Sequence, residues 1–349
     1  MTSNRFATYT WGVLGLNILV ILWGAFVRAT RSGAGCGAHW PTCDGQVMPR
    51  PESVEMFVEF THRLTSGLAL LAVLGMLVWA RRARPAGHPV RKGAVASLLL
   101  IIVEALVGAG LVLFEWVAHD TSLARPFVVA IHLVNTFLLL GAITLTGWWA
   151  SGGRAVRWRG QGRLGWALGS AAIGLLILGA SGAVTALGDT LVLAAGLRPE
   201  DSPLVAQLVG LRIYHPLLAF ATGGLVWLAW RLAQTHTPSP RLTRTGLLLL
   251  IAFGVQLLLG GMNVFLKAPV WLQLVHLLVA DTIWILFVLL AAQALGRVRR
   301  ARLASTQTHQ HHTGHKGGCV GGRLRGQQTQ GRLRRRLGAA LSQPHAQDR

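Results

Sequence analysis

Within the stretch Val58-Glu59-Phe60-Thr61-His62-Arg63-Leu64, a carboxylate, an imidazole and a guanidinium fall inside five residues, at the mouth of an apolar run that continues to about Ala80. Burying an unpaired charge at the edge of a membrane span costs several kcal/mol, so ionisable groups there usually do chemistry or bind a ligand. Glu59 lies three residues before His62 and shares its helical face, where it can tune the imidazole, pair with Arg63 or relay a proton.

Three more histidines, His132, His215 and His276, sit at matching depths in other apolar runs. All four lie within about seven residues of one end of their run, which at 1.5 Å per residue places them in one layer. Two neutral imidazoles facing one another across a helical bundle hold a haem iron axially, and bundle cores house such cofactors. One histidine near a helix end would be an ordinary interfacial residue; four at equivalent positions read as ligands. Spacing alone leaves haem or another metal open, but no carboxylate-rich metal motif accompanies them.

The elements that must position these residues follow from composition. Of 349 residues, 52% are hydrophobic and 13% charged, which places the chain in the membrane class. Eight apolar runs, at about 9–27, 58–80, 93–114, 126–149, 164–187, 209–232, 245–266 and 270–295, each approach the ~20 residues a helix needs to cross the hydrocarbon core. The first lacks a small-x-small cleavage site and reads as a retained helix. The longest polar connections are 29–57, dense in Gly, Pro, Trp and Cys, and 188–209.

The formal charge of +21 does not mark a nucleic-acid protein. Twelve basic side chains follow Arg297 onward against Asp348 alone, in a low-complexity tail, 297–349, expected to be disordered. The connections 81–92, 154–163 and 231–244 carry five, four and three Lys/Arg, the bias that topology imposes on cytoplasmic loops. Both termini are then cytoplasmic, and the loop with Cys36 and Cys43 faces outward. Two cysteines on an exported loop can pair, whereas on a cytoplasmic loop they would stay free.

Spans one to four repeat in spans five to eight. Val103-Glu104-Ala105-Leu106-Val107-Gly108 aligns with Val255-Gln256-Leu257-Leu258-Leu259-Gly260, and Ile131-His132 with Val275-His276. Gly24-Ala25-Phe26-Val27 aligns less well with Gly179-Ala180-Ser181-Gly182, and the span of His62 pairs with that of His215. The expected fold is an all-α integral membrane protein of eight transmembrane helices, arranged as two pseudo-symmetric four-helix bundles (1–150 and 164–296). Glu59 is expected to face an uncharged counterpart, which makes the halves chemically unequal. The Gly108/Gly110 and Gly260/Gly261 faces suit either a flat macrocycle or tight helix packing.

These residues resemble the haem A synthase family of aerobic bacteria and mitochondria. The likeness rests on Glu59-Phe60-Thr61-His62-Arg63, the loop Gly35-Cys36-Gly37-Ala38-His39-Trp40-Pro41-Thr42-Cys43-Asp44-Gly45-Gln46, Ile131-His132, Tyr214-His215-Pro216 and Val275-His276, and covers about residues 9–295. The resemblance implies oxidation of the C8 methyl of haem O to a formyl group by successive hydroxylations with O2, for cytochrome oxidase assembly in the cell membrane. It implies haem b held by His215 and His276, substrate haem O facing His62 and His132, and Glu59 as catalytic carboxylate. It also implies a Cys36–Cys43 disulfide and a haem O synthase as supplier of substrate. Membrane lipid surrounds such a chain, and a homo-oligomer is compatible with it. Some family members carry a second cysteine pair, which residues 188–209 lack.

A second reading of the same histidines is a bis-histidine dihaem cytochrome passing electrons from quinol. Such a carrier requires neither a proton-handling carboxylate nor a loop covering one site. A transporter fits less well, because no span is broken near the midplane with a polar path.

Overall fold

Helices start where the sequence supplies a stop for the preceding chain and a partner for the free N–H groups. Ser53 caps α2 (Val54–Ala83) by accepting from the Met56 amide, and Ser239 caps α8 (Pro240–Phe265) by accepting from that of Leu242. His88 does the same for α3 (Pro89–Leu113) through Nδ1, 3.2 Å from the Val90 nitrogen, and Pro89 occupies a first-turn position that needs no donor. The remaining helices are α1 (Thr2–Ala29), α4 (Ala124–Ala150), α5 (Arg163–Asp189), α6 (Pro203–Leu211), α7 (Tyr214–His236) and α9 (Val270–Leu295). This computed structural model describes residues 2–118, 120–198, 200 and 202–296. His119 and the tail from 297, with its His309, His311, His312, His315 and Cys319, lie outside the described residues.

Among the described residues eight helical spans are long and apolar enough to cross a membrane, each of 25 residues or more. The chain is therefore an all-α, multi-pass membrane protein, as its composition implies. The sequence expectation needs correction at residues 188–209. Instead of an open loop, α5 runs to Asp189, continues as a π turn over Thr190–Ala194, and leads into α6. Leu187 and Leu191 pack against Leu204, Val205 and Leu208, which gives this segment a small core of its own. The sixth span thus begins at Pro203 and breaks at Arg212-Ile213, immediately before His215. His236, expected in a loop, is the last residue of α7.

Within the first half, α1 packs on α2, α2 on α3, α3 on α4 and α4 back on α1. Within the second, α5 packs on α7, α7 on α8, α8 on α9 and α9 on α5. The halves meet chiefly through α4, which touches α5 and α9, and through α1 against α9. At this seam Trp284 of α9 stacks on Phe137 of α4 at 5.7 Å and donates its indole N–H to the Phe137 carbonyl. Gly141 makes room for the indole, 3.3 Å from where a Cβ would stand. Arg28, at the end of α1, donates to the Ala186 carbonyl and the Thr190 hydroxyl at 2.7 Å and to Gln273 at 2.9 Å, tying the first half to α5 and α9.

The seam gives a stability test. Trp284→Phe keeps the stacked ring but removes one buried hydrogen bond, and is expected to lower stability by about 1 kcal/mol in detergent denaturation. Trp166→Phe, at a side chain 84% exposed, is expected to leave it unchanged.

Candidate functional site

Glu59 is 3% exposed, and its charge is fully caged. One oxygen accepts from Arg63 Nε at 3.2 Å and from Arg63 Nη2, one helical turn on; the other accepts from the Cys36 amide at 2.9 Å. Arg63 also donates to the carbonyls of His39 and Thr42. The guanidinium therefore clips the 36–43 loop onto α2 while neutralising the carboxylate, the arrangement that makes a buried charge tolerable. Cys36 and Cys43 form a disulfide and are both fully buried. Gly35 lies so close to the first turn of α2 that a Cβ there would collide with the Glu55 carbonyl. The disulfide loop is thus seated on the helix that carries Glu59 and His62, and it delivers a backbone donor directly to Glu59.

The four histidines occupy corresponding places. His62 lies on α2, His132 on α4, His215 at the start of α7 and His276 on α9. His62 is within electrostatic range of His132, and His276 of His215, so each half forms one imidazole pair. Each ring also lies against a glycine of a neighbouring helix. A Cβ on Gly24, Gly108, Gly182 or Gly260 would stand 2.9, 3.9, 3.1 or 3.4 Å from Cε1 of His62, His132, His215 or His276, respectively. This revises the sequence alignment of the first helices. Gly24 corresponds to Gly182, not Gly179, whose neighbour is Phe137. Of the glycine faces noted above, Gly108 and Gly260 serve the histidines, whereas nothing stands within 4 Å of a Cβ on Gly261.

The charges around these pairs differ between halves. The position three before His215 holds Arg212, not the uncharged residue expected, and Arg212 is ion-paired with Asp189 of α5. A carboxylate in the first half is therefore matched by a guanidinium in the second. Polar partners at Nδ1 differ as well. Ser181 gives its own hydrogen to the Leu178 carbonyl, so its oxygen, 2.8 Å away, accepts the Nδ1–H of His215 and leaves Nε2 as the lone-pair nitrogen. His132 has Glu104 of α3 at 3.4 Å from Nδ1, within ion-pair reach, but Nδ1 of His132, like that of His62 and of His276, is buried without a hydrogen-bond partner among the described residues. Sequence reasoning passed over Glu104. The signal that would have found it is a carboxylate in the middle of an apolar run, aligned with the neutral Gln256.

This donor set fits haem iron. Axial ligation needs two imidazoles per metal, and each half supplies two, on two of its helices, with a glycine of a neighbouring helix beside each ring. Among the described residues no group of three or more His, Cys, Asp or Glu forms a conventional metal-binding cluster.

Comparison with known proteins agrees with the pattern. The family model COX15-CtaA, cytochrome oxidase assembly protein, matches residues 7–288. A protoheme IX farnesyltransferase of Thermus thermophilus is 53% identical over 298 residues, 84% of this chain and 49% of the relative. The chain thus spans about half the length of such relatives. A heme A synthase of Lysinibacillus sphaericus is 35% identical over 126 residues, 36% of this chain and 40% of the relative. One of Shouchella clausii is 42% identical over 128 residues, 37% of this chain and 40% of the relative.

The glycine contacts predict a graded response. Gly24→Ala and Gly182→Ala force the facing ring to move and are each expected to abolish the haem absorbance of one half, measured on purified protein. Gly108→Ala, where the new methyl meets His132 at an ordinary contact distance, is expected to retain both.

Proposed function

Because the chain belongs to the COX15-CtaA family of cytochrome oxidase assembly proteins, we propose that it is a haem A synthase, oxidising the C8 methyl of haem O to a formyl group by successive O2-dependent hydroxylations. In this reading His62 and His132 hold the substrate haem O in the first half, and His215 and His276 hold a resident haem b in the second. The bound haems supply the redox chemistry and the activation of oxygen. Relatives named for farnesyl transfer to protoheme IX share this segment over about half their length. That context suits a chain whose substrate is a farnesylated haem delivered by a haem O synthase.

The observation that carries the reading is the inequality of two otherwise matching halves. Among the described residues only the first has a carboxylate held by both a guanidinium and a backbone amide under a disulfide-closed loop, whereas Asp189 of the second is paired with Arg212. Glu59 is the catalytic acid–base group in this scheme. Arg63 and the Cys36 amide fix its two oxygens, so a proton gained or lost there does not require the carboxylate to swing. The loop, seated by Gly35 and Arg63, limits water at that carboxylate. With the arginine-rich loops cytoplasmic, this loop and all four histidines belong to the outer side of the cell membrane. A quinol-linked electron carrier would have no use for this difference between halves.

The direct test expresses the chain with a haem O source and extracts the pigments. Haem A is expected; unchanged haem O, in a preparation with intact bis-histidine spectra, refutes the enzyme reading and leaves the electron carrier. Glu59→Gln should keep both haems yet lower product formation by about 100-fold or more, the usual scale of a lost acid–base group. Replacing Cys36 and Cys43 together by Ser releases the loop that positions Glu59. Turnover is then expected to fall by up to about 100-fold while the second-half spectrum stays as in the parent chain.

A further inference from the structure

We propose that Glu104 is a positioning residue of the first half: its carboxylate takes the Nδ1–H of His132 when that ring holds iron, making His132 a stronger donor than its counterpart His276. The inference rests on the proposed role of His132 as a haem ligand.

Glu104 sits in the middle of α3, where a carboxylate is costly unless it is held. It is held by two neighbours of His132 on α4. Asn135 donates to one oxygen, using its other amide hydrogen on the Leu100 carbonyl at 2.9 Å, and the Thr136 hydroxyl shares its one hydrogen between the other oxygen and the His132 carbonyl, 2.9 Å away. Asn135 and Thr136 are 6% and 4% exposed, so this is a built pocket and not a chance surface contact. The oxygen bonded to Thr136 is also the one that stands 3.4 Å from His132 Nδ1. That separation is within ion-pair reach but longer than a formed hydrogen bond, and a shift of about 0.5 Å closes it.

The second half lacks every part of this device. Gln256 aligns with Glu104, and Val279 and Ala280 occupy the places of Asn135 and Thr136. Gln256 Oε1 and His276 Nδ1, like His132 Nδ1, are buried without a hydrogen-bond partner among the described residues, so the difference between the halves is the carboxylate oxygen 3.4 Å from His132 Nδ1. A histidine whose outer N–H is taken by a carboxylate gains electron density at Nε2 and favours the ferric over the ferrous state. The first-half haem is thereby set to a lower potential than the same ligands would otherwise give it.

The test is a spectroscopic redox titration of the full chain carrying both haems. Glu104→Gln keeps the size of the side chain but removes its charge. It should preserve haem content and lower the ferric preference of one haem about tenfold, an upward shift of ~59 mV for one electron, with the other midpoint unmoved. Glu104→Asp withdraws the carboxylate by one methylene and should shift the same midpoint in the same direction, which keeps the test available if the amide variant does not fold. Either folded variant with both haems and parental midpoints overturns the proposal, because a purely structural carboxylate would not set a potential. His132→Ala distinguishes the underlying premise. If that variant retains both haems and the parental spectrum, His132 is not a ligand, and the proposal falls together with the reading on which it rests.

Discussion

An ionised side chain inside an apolar span survives only where its charge is met by partners, and this constraint organises the end of the molecule where the histidines lie. Glu59 requires Arg63 and the Cys36 amide, and Arg63 in turn requires the carbonyls of the disulfide loop. Asp189 requires Arg212, and Arg28 requires the Ala186 carbonyl, Thr190 and Gln273. Apart from Glu59 and Arg63, which share α2, the partners belong to different stretches of chain, so meeting the charges also fixes how loop, helices and halves are arranged. Removing one member of such a set strands the others, which is far more damaging than the modest net worth of the pair.

Against this charged framework the imidazole pairs are nearly uniform. All four rings rest on glycine, and each pair lies on two helices of one half. What the halves do not share is their electrostatics. The first keeps two carboxylates near its histidines, Glu59 and Glu104; the second puts a guanidinium and an amide at the aligned positions, Arg212 and Gln256. A duplicated scaffold has thus kept its geometry while its charges diverged. That is the physical basis for the proposal that the two halves do different work, one turning over substrate and the other holding a resident cofactor.

Much of this was legible in the sequence because the membrane makes the code simple. Hydrocarbon thickness sets span length, and the absence of water forces helices, so seven of the eight spans start within about five residues of their expected positions. The sixth did not, because Pro203 starts a helix inside a stretch whose Pro, Asp and Glu content reads as loop, and only tertiary packing of Leu204, Val205 and Leu208 on Leu187 and Leu191 reveals it. The histidines were visible through their repetition. The glycine behind each ring was only half visible, since the register of the first helices depends on contacts with the next helix and not on letters in the chain: Gly182, not Gly179, meets the imidazole. Arg212 was misjudged for a related reason. Its charge is plain in the sequence, but its pairing with Asp189 across helices is not.

The central claim is that one chain holds two irons, each between the two histidines of a single half. Low-temperature electron paramagnetic resonance of the chain purified with haem O supplied measures this most directly. The account predicts two low-spin bis-imidazole signals, one lost in His62→Ala and the other in His276→Ala. A single signal in the parent chain, or one signal removed by both substitutions, would contradict it.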